Sequence, residues 1–285
     1  DVRLSFNSFL PQDIDEDFAN RLVDHQISML EKREDLHDKI EFEIAITCRD
    51  FSFSGAKEKL RQEGIAEVDL EALESGLTTI THNALKSGAT GIEKLVDQSN
   101  RLLENPTRPE TLQPLERMES LLDACRTLGT LPFSQLARHG FIGVLFLNSL
   151  VKREVFTQED ADRFMAGIHT VAADLVHDMH RLATGTIDQA AFLSQYGHLR
   201  PSTYDILSFR YDERPDLYLG HSRPVPELSE APFIATKSQH SAISALLKEF
   251  GYEITPDDLL AYIAAAIKGR EQSKFAFTKS IAFCV

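Results

Sequence analysis

Tryptophan is absent, cysteine occurs three times, and glycine occurs 14 times in 285 residues. Cys48, Cys125 and Cys284 are odd in number and far apart, which speaks against a disulfide framework and against a zinc ribbon. With no leader recognisable at its start, such a chain is expected in a reducing cytoplasm. The glycines are scattered. No G-x-x-x-x-G-K-[ST] phosphate loop, G-x-G-x-x-G, H-E-x-x-H or G-x-S-x-G occurs. Positive charge is scarce: 30 Lys+Arg stand against 44 Asp+Glu, a formal net charge of -14. So acidic a chain repels the phosphate backbone, and nucleic acid is not an expected partner. A local basic patch can still hold a phosphorylated small molecule. Long apolar runs are missing too. A membrane span needs about 20 residues, and the best candidate, Phe141 to Val151, contains Asn148 and Ser149 and stops at Lys152. No membrane contact is expected. The chain opens without Met and ends on Phe-Cys-Val, and is expected to be a piece of a longer protein.

What is present is mostly helical patterning. Hydrophobic residues at 42% and charged residues at 26% suit a globular chain with a sizeable core. Phe18, Leu22, Val23, Ile27 and Leu30 recur at helical spacing behind the acidic start Asp13 to Asp17. Lys57 to Gln62, Asp69 to Leu85, Gly91 to Leu103 and Leu112 to Leu128 predict further helices. Phe133 to Arg153 is long and very apolar, and predicts the centre of a bundle. Thr157-Gln158-Glu159-Asp160 predicts a capped start for a helix running to Ala183. Asp188 to Tyr196, Ser238 to Phe250, and a helix opened by Thr255-Pro256 and running past Lys268 complete the set.

Two segments depart from that pattern. Asp1 to Leu10 reads as a short strand or an extended arm. From Lys39 to Phe53, Ile40, Phe42, Ile44 and Ile46 alternate with Glu41, Glu43, Ala45 and Thr47, the strongest strand signal in the chain. The expected fold class is therefore mainly α: a helical bundle with a short β segment near the N-terminus. Residues 1–55 are expected to form an arm, helix and strand. Residues 56–285 are expected to form a helical domain with an irregular, Pro-rich loop at 197–232. Asn105 to Pro109 reads as a break, and Gly129-Thr130-Leu131-Pro132 as a turn.

Three groups of residues are candidates for chemistry. Glu41 and Glu43 would share a strand face, and two such carboxylates can hold a Mg²⁺ ion that keeps water and phosphate as its other ligands. The plain alternative is a solvated strand face. Asp174, His177, Asp178 and His180 lie on one predicted helix, with neighbours three apart, and imidazole and carboxylate suit several divalent ions. A polar helix face accounts for them equally simply. The third group is Tyr196-Gly197-His198-Leu199-Arg200-Pro201-Ser202-Thr203-Tyr204-Asp205-Ile206. Its Arg offers a planar fork for phosphate or carboxylate, and its His a proton donor or acceptor near neutral pH. Alternatively this is a structural corner, with Arg200 paired to Asp205 and Gly197 ending the helix in a left-handed cap. Arg270, in Lys268-Gly269-Arg270-Glu271, is a candidate substrate contact at a helix end.

The 196–206 segment, followed by Ser208-Phe209-Arg210-Tyr211-Asp212-Glu213, resembles part of the phosphoenolpyruvate synthase-like proteins. These are relatives of pyruvate phosphate dikinase and rifampicin phosphotransferase. Glu34-Asp35-Leu36-His37-Asp38-Lys39-Ile40-Glu41-Phe42-Glu43 is similar to their N-terminal region. Gly129 to Phe133, Ala137 to Ile142, Gly269-Arg270-Glu271 and Lys274 to Thr278 agree as well. The resemblance implies a parent with an ATP-grasp nucleotide domain and a swivelling domain carrying a phosphorylated His. This chain would then be its helical central part. ATP and Mg²⁺ would be the parent's cofactors, with Glu41 near the metal. His198, Arg200, Tyr204 and Arg270 would line the substrate surface. Ser202 stands where the relatives usually have Gly. No Gly-Gly-x-x-Ser-His segment and no Gly-rich ATP-grasp loop is present, so the isolated chain is expected to lack complete phosphoryl-transfer machinery. Two further readings stand beside this one: a non-catalytic helical scaffold or interaction domain, and a metal-dependent hydrolase built on His177 and His180.

Overall fold

A computed structural model describes residues 2–104, 113–200, 207–219 and 233–282. Among these the regular structure is helical and no strand occurs. In chain order the helices are α1 (Val2–Phe9), α2 (Glu16–Lys32), α3 (Ile40–Glu43), α4 (Phe53–Gln62), α5 (Glu67–Glu104), α6 (Pro114–Ala124), α7 (Leu131–Lys152), α8 (Gln158–Ala166), α9 (Val171–Ala183), α10 (Gln189–Tyr196), α11 (Pro215–Tyr218), α12 (Lys237–Phe250) and α13 (Pro256–Ala282). They form two compact units. Unit 1 comprises Asp1–Ile92, Arg138–Arg163 and Phe233–Ile267. Unit 2 comprises Glu93–Ala137, Phe164–Pro232 and Lys268–Val285. Residues 1–55 and 56–92 thus fall in the same unit.

Unit 1 is built on the helical stripes legible in the sequence. Phe18 and Leu22 of α2 pack with Phe53 and Leu60 of α4 and with Leu70, Leu73 and Leu77 of α5. Asp15 caps α2 by accepting from the Phe18 N–H at 3.0 Å, and Glu16 and Asp17 suit the positive end of the helix dipole. Residues 2–9 are not a strand or an extended arm. They form α1, whose Phe6 and Phe9, three apart on one helix face, are buried against Val23, Ile44 and Ala45. In α7 the apolar run delivers Ile142, Phe146, Leu147 and Leu150 to the interior, each at most 3% exposed.

The predicted strand at 39–53 is not present. Residues 40–43 turn into the single helical turn α3, and 44–52 run without regular structure through the middle of the unit. A strand that buries one face alternates, because successive side chains point opposite ways. Here adjacent residues are buried in pairs, Ile44 with Ala45 and Thr47 with Cys48, so the segment is covered on all sides. A buried backbone needs partners, and with no neighbouring strand, side chains from distant parts of the unit supply them. The Arg49 N–H donates to Thr81 Oγ1 on α5 at 2.9 Å. The Tyr252 hydroxyl donates to the Arg49 carbonyl at 2.5 Å. Arg138 on α7 donates to the Thr47 carbonyl at 3.4 Å, and also to Ser8 and Phe9 carbonyls at 2.7 and 2.9 Å, where α1 ends. Burial pushes the Cys48 thiol well above its ordinary range, although Arg138 pulls the other way. Cys48 therefore packs as a neutral apolar group.

Two further segments depart from expectation. The 157–183 segment is two helices. Thr157 and Asp160 form the expected reciprocal cap of α8 at 3.0 and 3.1 Å, but α8 stops at Ala166 and Thr170 caps α9 through the Ala173 N–H. Glu271 of α13 also accepts from the Ala172 N–H at 3.4 Å, in the first turn of α9. The expected turn at Gly129 to Pro132 is instead a π-helical stretch, Cys125–Thr130, leading directly into α7. There Leu131 donates to the Arg126 carbonyl, five residues back. Pro132 has no N–H for the Leu128 carbonyl, so a widened turn ahead of it sacrifices little.

A corner of unit 2 as candidate functional site

Residues 196–200 form a corner at the end of α10. Asp188 caps α10 by accepting from the Ala191 N–H at 2.7 Å. Tyr196, 2% exposed, closes the helix. Its hydroxyl donates to Asp178 Oδ2 at 2.9 Å, and Arg181 donates to Asp178 Oδ1 at 2.9 Å, which ties the corner to α9. Gly197 follows with φ -55 and ψ -33, a right-handed rather than a left-handed cap. From there the chain pairs with a later stretch. The Asp212 N–H donates to the Gly197 carbonyl and the Tyr211 N–H to the Leu199 carbonyl, both at 3.0 Å. These two bonds fix the path on either side of His198.

The His198 ring meets the Phe275 ring of α13 edge-on, with centroids 4.8 Å apart. Its Nε2 is buried and has no hydrogen-bond partner among the described residues. Burial first, then Lys279 and Arg210, push its pKa down to about 4 from an ordinary 6.5. The imidazole is therefore neutral near pH 7. Lys279 sits 5.9 Å over the Phe275 ring and donates to the Ser194 carbonyl at 3.1 Å. Arg210 is bidentate on Asp212, at 2.8 and 3.3 Å. Arg200 donates to the Ser208 carbonyl and lies 3.7 Å from Glu213. It lines an open groove of about 480 Å³ with Leu207, Ser208, Phe209 and Glu213. Arg200 and Arg210 therefore meet the carboxylates of Glu213 and Asp212, in a chain whose total charge is -14.

The other candidates are distributed differently. Tyr204, Ser202 and Asp205 lie outside the described residues, and Arg200 takes Glu213 as its carboxylate neighbour. Arg270 is half-buried on α13, five residues before Phe275. Five residues turn a helix by about 140° beyond a full turn, so the two point to different sides. Glu41 and Glu43 do not share a strand face. In α3 they are two positions apart, on opposing sides of one helical turn. His177 and His180 are exposed, and Asp178 is engaged by Tyr196 and Arg181. Among the described residues no three His, Cys, Asp or Glu side chains are grouped to hold a metal ion. No sequence signal marks Phe275 and Lys279 as partners of His198. They lie far along the chain, and no local spacing links them to it.

His198 makes a pH prediction. Its folded pKa is depressed, so the neutral ring contributes stability above about pH 6.5, and this is lost as pH falls through about 4. Because the group is only half-buried, the expected loss is about 2 kcal/mol between about pH 7 and pH 4 after allowance for solvent screening. Urea unfolding of wild type and His198→Gln across this range measures it. The Gln variant should lack this part of the acid slope; equal slopes would assign the loss to other groups.

No family model, no curated protein and no solved structure matches this chain.

Proposed function

We propose that this chain is the helical central part of a phosphoenolpyruvate synthase-like phosphotransferase. In this reading its parent moves phosphate from ATP, through a His of another domain, to or from a small carboxylate or hydroxyl acceptor. The observation that carries the reading is the corner around His198. A neutral imidazole whose buried Nε2 has no hydrogen-bond partner among the described residues feels the charges of Lys279 and Arg210, and Arg200, two residues on, lines an open groove, in an otherwise acidic chain. Guanidinium and ammonium groups recognise phosphate and carboxylate together, the two anionic groups of phosphoenolpyruvate. The similarity of residues 196–213 and of the shorter segments to that family supports the same assignment. His198 and Arg200 would meet the substrate, and the family resemblance implies the same of Tyr204 and Arg270. ATP, Mg²⁺ and the phosphorylated His belong to the parent's other domains, in a cytoplasmic protein. Glu41 and Glu43, on opposing sides of α3, do not form a magnesium pair, so no step is assigned to a metal in this chain.

Calorimetric titration of the parent protein with phosphoenolpyruvate, pyruvate and ATP·Mg²⁺ tests the proposal. Arg200→Ala and His198→Gln should each weaken phosphoenolpyruvate binding by about tenfold or more, the loss of one charge-assisted or buried hydrogen bond. ATP binding should remain. A parent reading frame with neither an ATP-grasp nor a phospho-His segment would defeat it. One observation favours a non-catalytic scaffold instead: Arg200 and Arg210 already have Glu213 and Asp212 beside them. That reading expects no binding of any of the three ligands.

A further inference from the structure

Half of the net charge of the whole chain is concentrated in a short stretch of unit 1. Residues 13–43 contain eleven Asp and Glu against four Lys and Arg, a net -7 out of -14. Some of these carboxylates are matched: Asp24 pairs with Arg3, and Asp35 with Arg33. In the same stretch α1, α2 and the turn Glu34–Leu36 enclose an open groove of about 630 Å³. Val2, Ile27 and Leu30 form its apolar floor, and Glu31, Glu34 and His37 form its rim. Ile27 and Leu30 are three apart on α2, so they stand side by side. Val2 is 45% exposed and Leu4, on the same short helix, 67%. Glu31 and Glu34 are exposed, and neither carboxylate is paired with a cation.

We propose that this groove docks a basic amphipathic helical segment of another protein, its apolar side chains seated on Val2, Ile27 and Leu30 and its Lys or Arg flanks on Glu31 and Glu34. The volume lies within the roughly 300–1,000 Å³ of sites that seat several groups at once. An apolar floor with a charged rim is the arrangement by which grooves take one face of a helix. Charge selects among occupants. A second copy of the chain would bring a second -7 against the first, and an anionic lipid surface is repelled for the same reason. A basic segment gains from both the floor and the rim. The groove shares no residue with the His198 corner, so its failure would leave the phosphotransferase reading untouched.

The probe is a fluorescein-labelled helical peptide of about 15 residues made of Leu and Lys, with Leu on one face. Its counterparts are a Leu and Glu peptide and a Ser and Lys peptide of the same pattern. Fluorescence anisotropy with the full chain should show saturable binding of the first alone. The double variant E31K/E34K should weaken it by at least about tenfold, while Asp257→Lys, an exposed acid elsewhere in unit 1, should leave it unchanged. Both changes lie on the surface, and thermal melts should show that each variant folds. Equal binding of the Ser and Lys peptide, equal loss with Asp257→Lys, or wild-type affinity in E31K/E34K would each overturn the proposal. So would a parent protein that binds no Leu and Lys peptide, since the parent's own chain would then cover the groove.

Discussion

Phe51→Ala is expected to destabilise unit 1 by roughly 3–5 kcal/mol, the range for truncating a fully buried phenylalanine. Phe51 is 0% exposed and stands between two rings, Phe146 at 5.0 Å and Phe250 at 5.4 Å, both met edge-on. Tyr252 extends the group, 6.0 Å from Phe146 and 6.3 Å from Phe250. The ring therefore joins three separate pieces of chain, and its contacts exceed simple area burial because edge-to-face pairs add about 0.5–1.5 kcal/mol each. Its backbone belongs to a segment tied to the rest of the unit by Thr81, Arg138 and Tyr252 side chains, so neighbouring residues cannot slide in to fill the space without breaking those bonds. A domain has about 5–15 kcal/mol of total stability, so the loss is a large part of it. Urea unfolding should show a lower midpoint at unchanged slope. Phe51→Leu should cost far less, under about 1.5 kcal/mol, because it keeps most of the volume. A deficit below about 1 kcal/mol for the alanine variant would mean that the aromatic group does not hold this segment.

The same segment marks the limit of what the sequence makes legible. Helices α2, α5, α7, α12 and α13 were readable because a periodic apolar stripe and its cap are both local signals. Thr157 with Asp160, and Thr255 with Asp258, bond as their spacing predicts. The 39–53 stretch misled because alternation is meaningful only if one face is solvated. Here both faces are covered, and the deciding residues, Arg138, Thr81 and Tyr252, come from distant parts of the chain. Residues 2–9 were misread for a related reason. Too short for a strong helical stripe, the segment owes its register to Phe6 and Phe9 finding Val23. In the corner of unit 2, His198 and Arg200 were visible as residue types in an unusual string. The burial that holds the imidazole neutral, and the nearby Lys279 and Arg210 that add to it, become evident only once the chain has folded back.

Gly197→Ala is expected to cost about 3 kcal/mol, at the upper end of overpacking changes, for a reason opposite to the usual one for glycine. The conformation at Gly197 is right-handed and open to any residue. Space is the obstacle. A Cβ there would lie 2.4 Å from the Leu193 carbonyl oxygen and 3.0 Å from Asp212 Cβ. Neither neighbour yields easily. The Leu193 carbonyl accepts the Gly197 N–H at 2.8 Å, and Asp212 is held by its own N–H on the Gly197 carbonyl and by Arg210. The added methyl must therefore pry the 197–199 stretch from 211–212, which carries His198 away from the edge of Phe275. Gly251 is the fitting control. It has φ 74 and nothing within 4 Å of its missing Cβ, so Gly251→Ala meets backbone strain but no clash, about 1 kcal/mol. Two readouts follow. Urea unfolding should rank Gly197→Ala well below Gly251→Ala. The His198 pKa, followed by NMR, should rise from about 4 toward its ordinary 6.5 in the first variant only, as the ring leaves its buried place beside Lys279 and Arg210. If the two variants lose equal stability and His198 titrates as in the wild type, the corner has slack, and the geometry on which the anion-binding reading rests is not enforced by the fold.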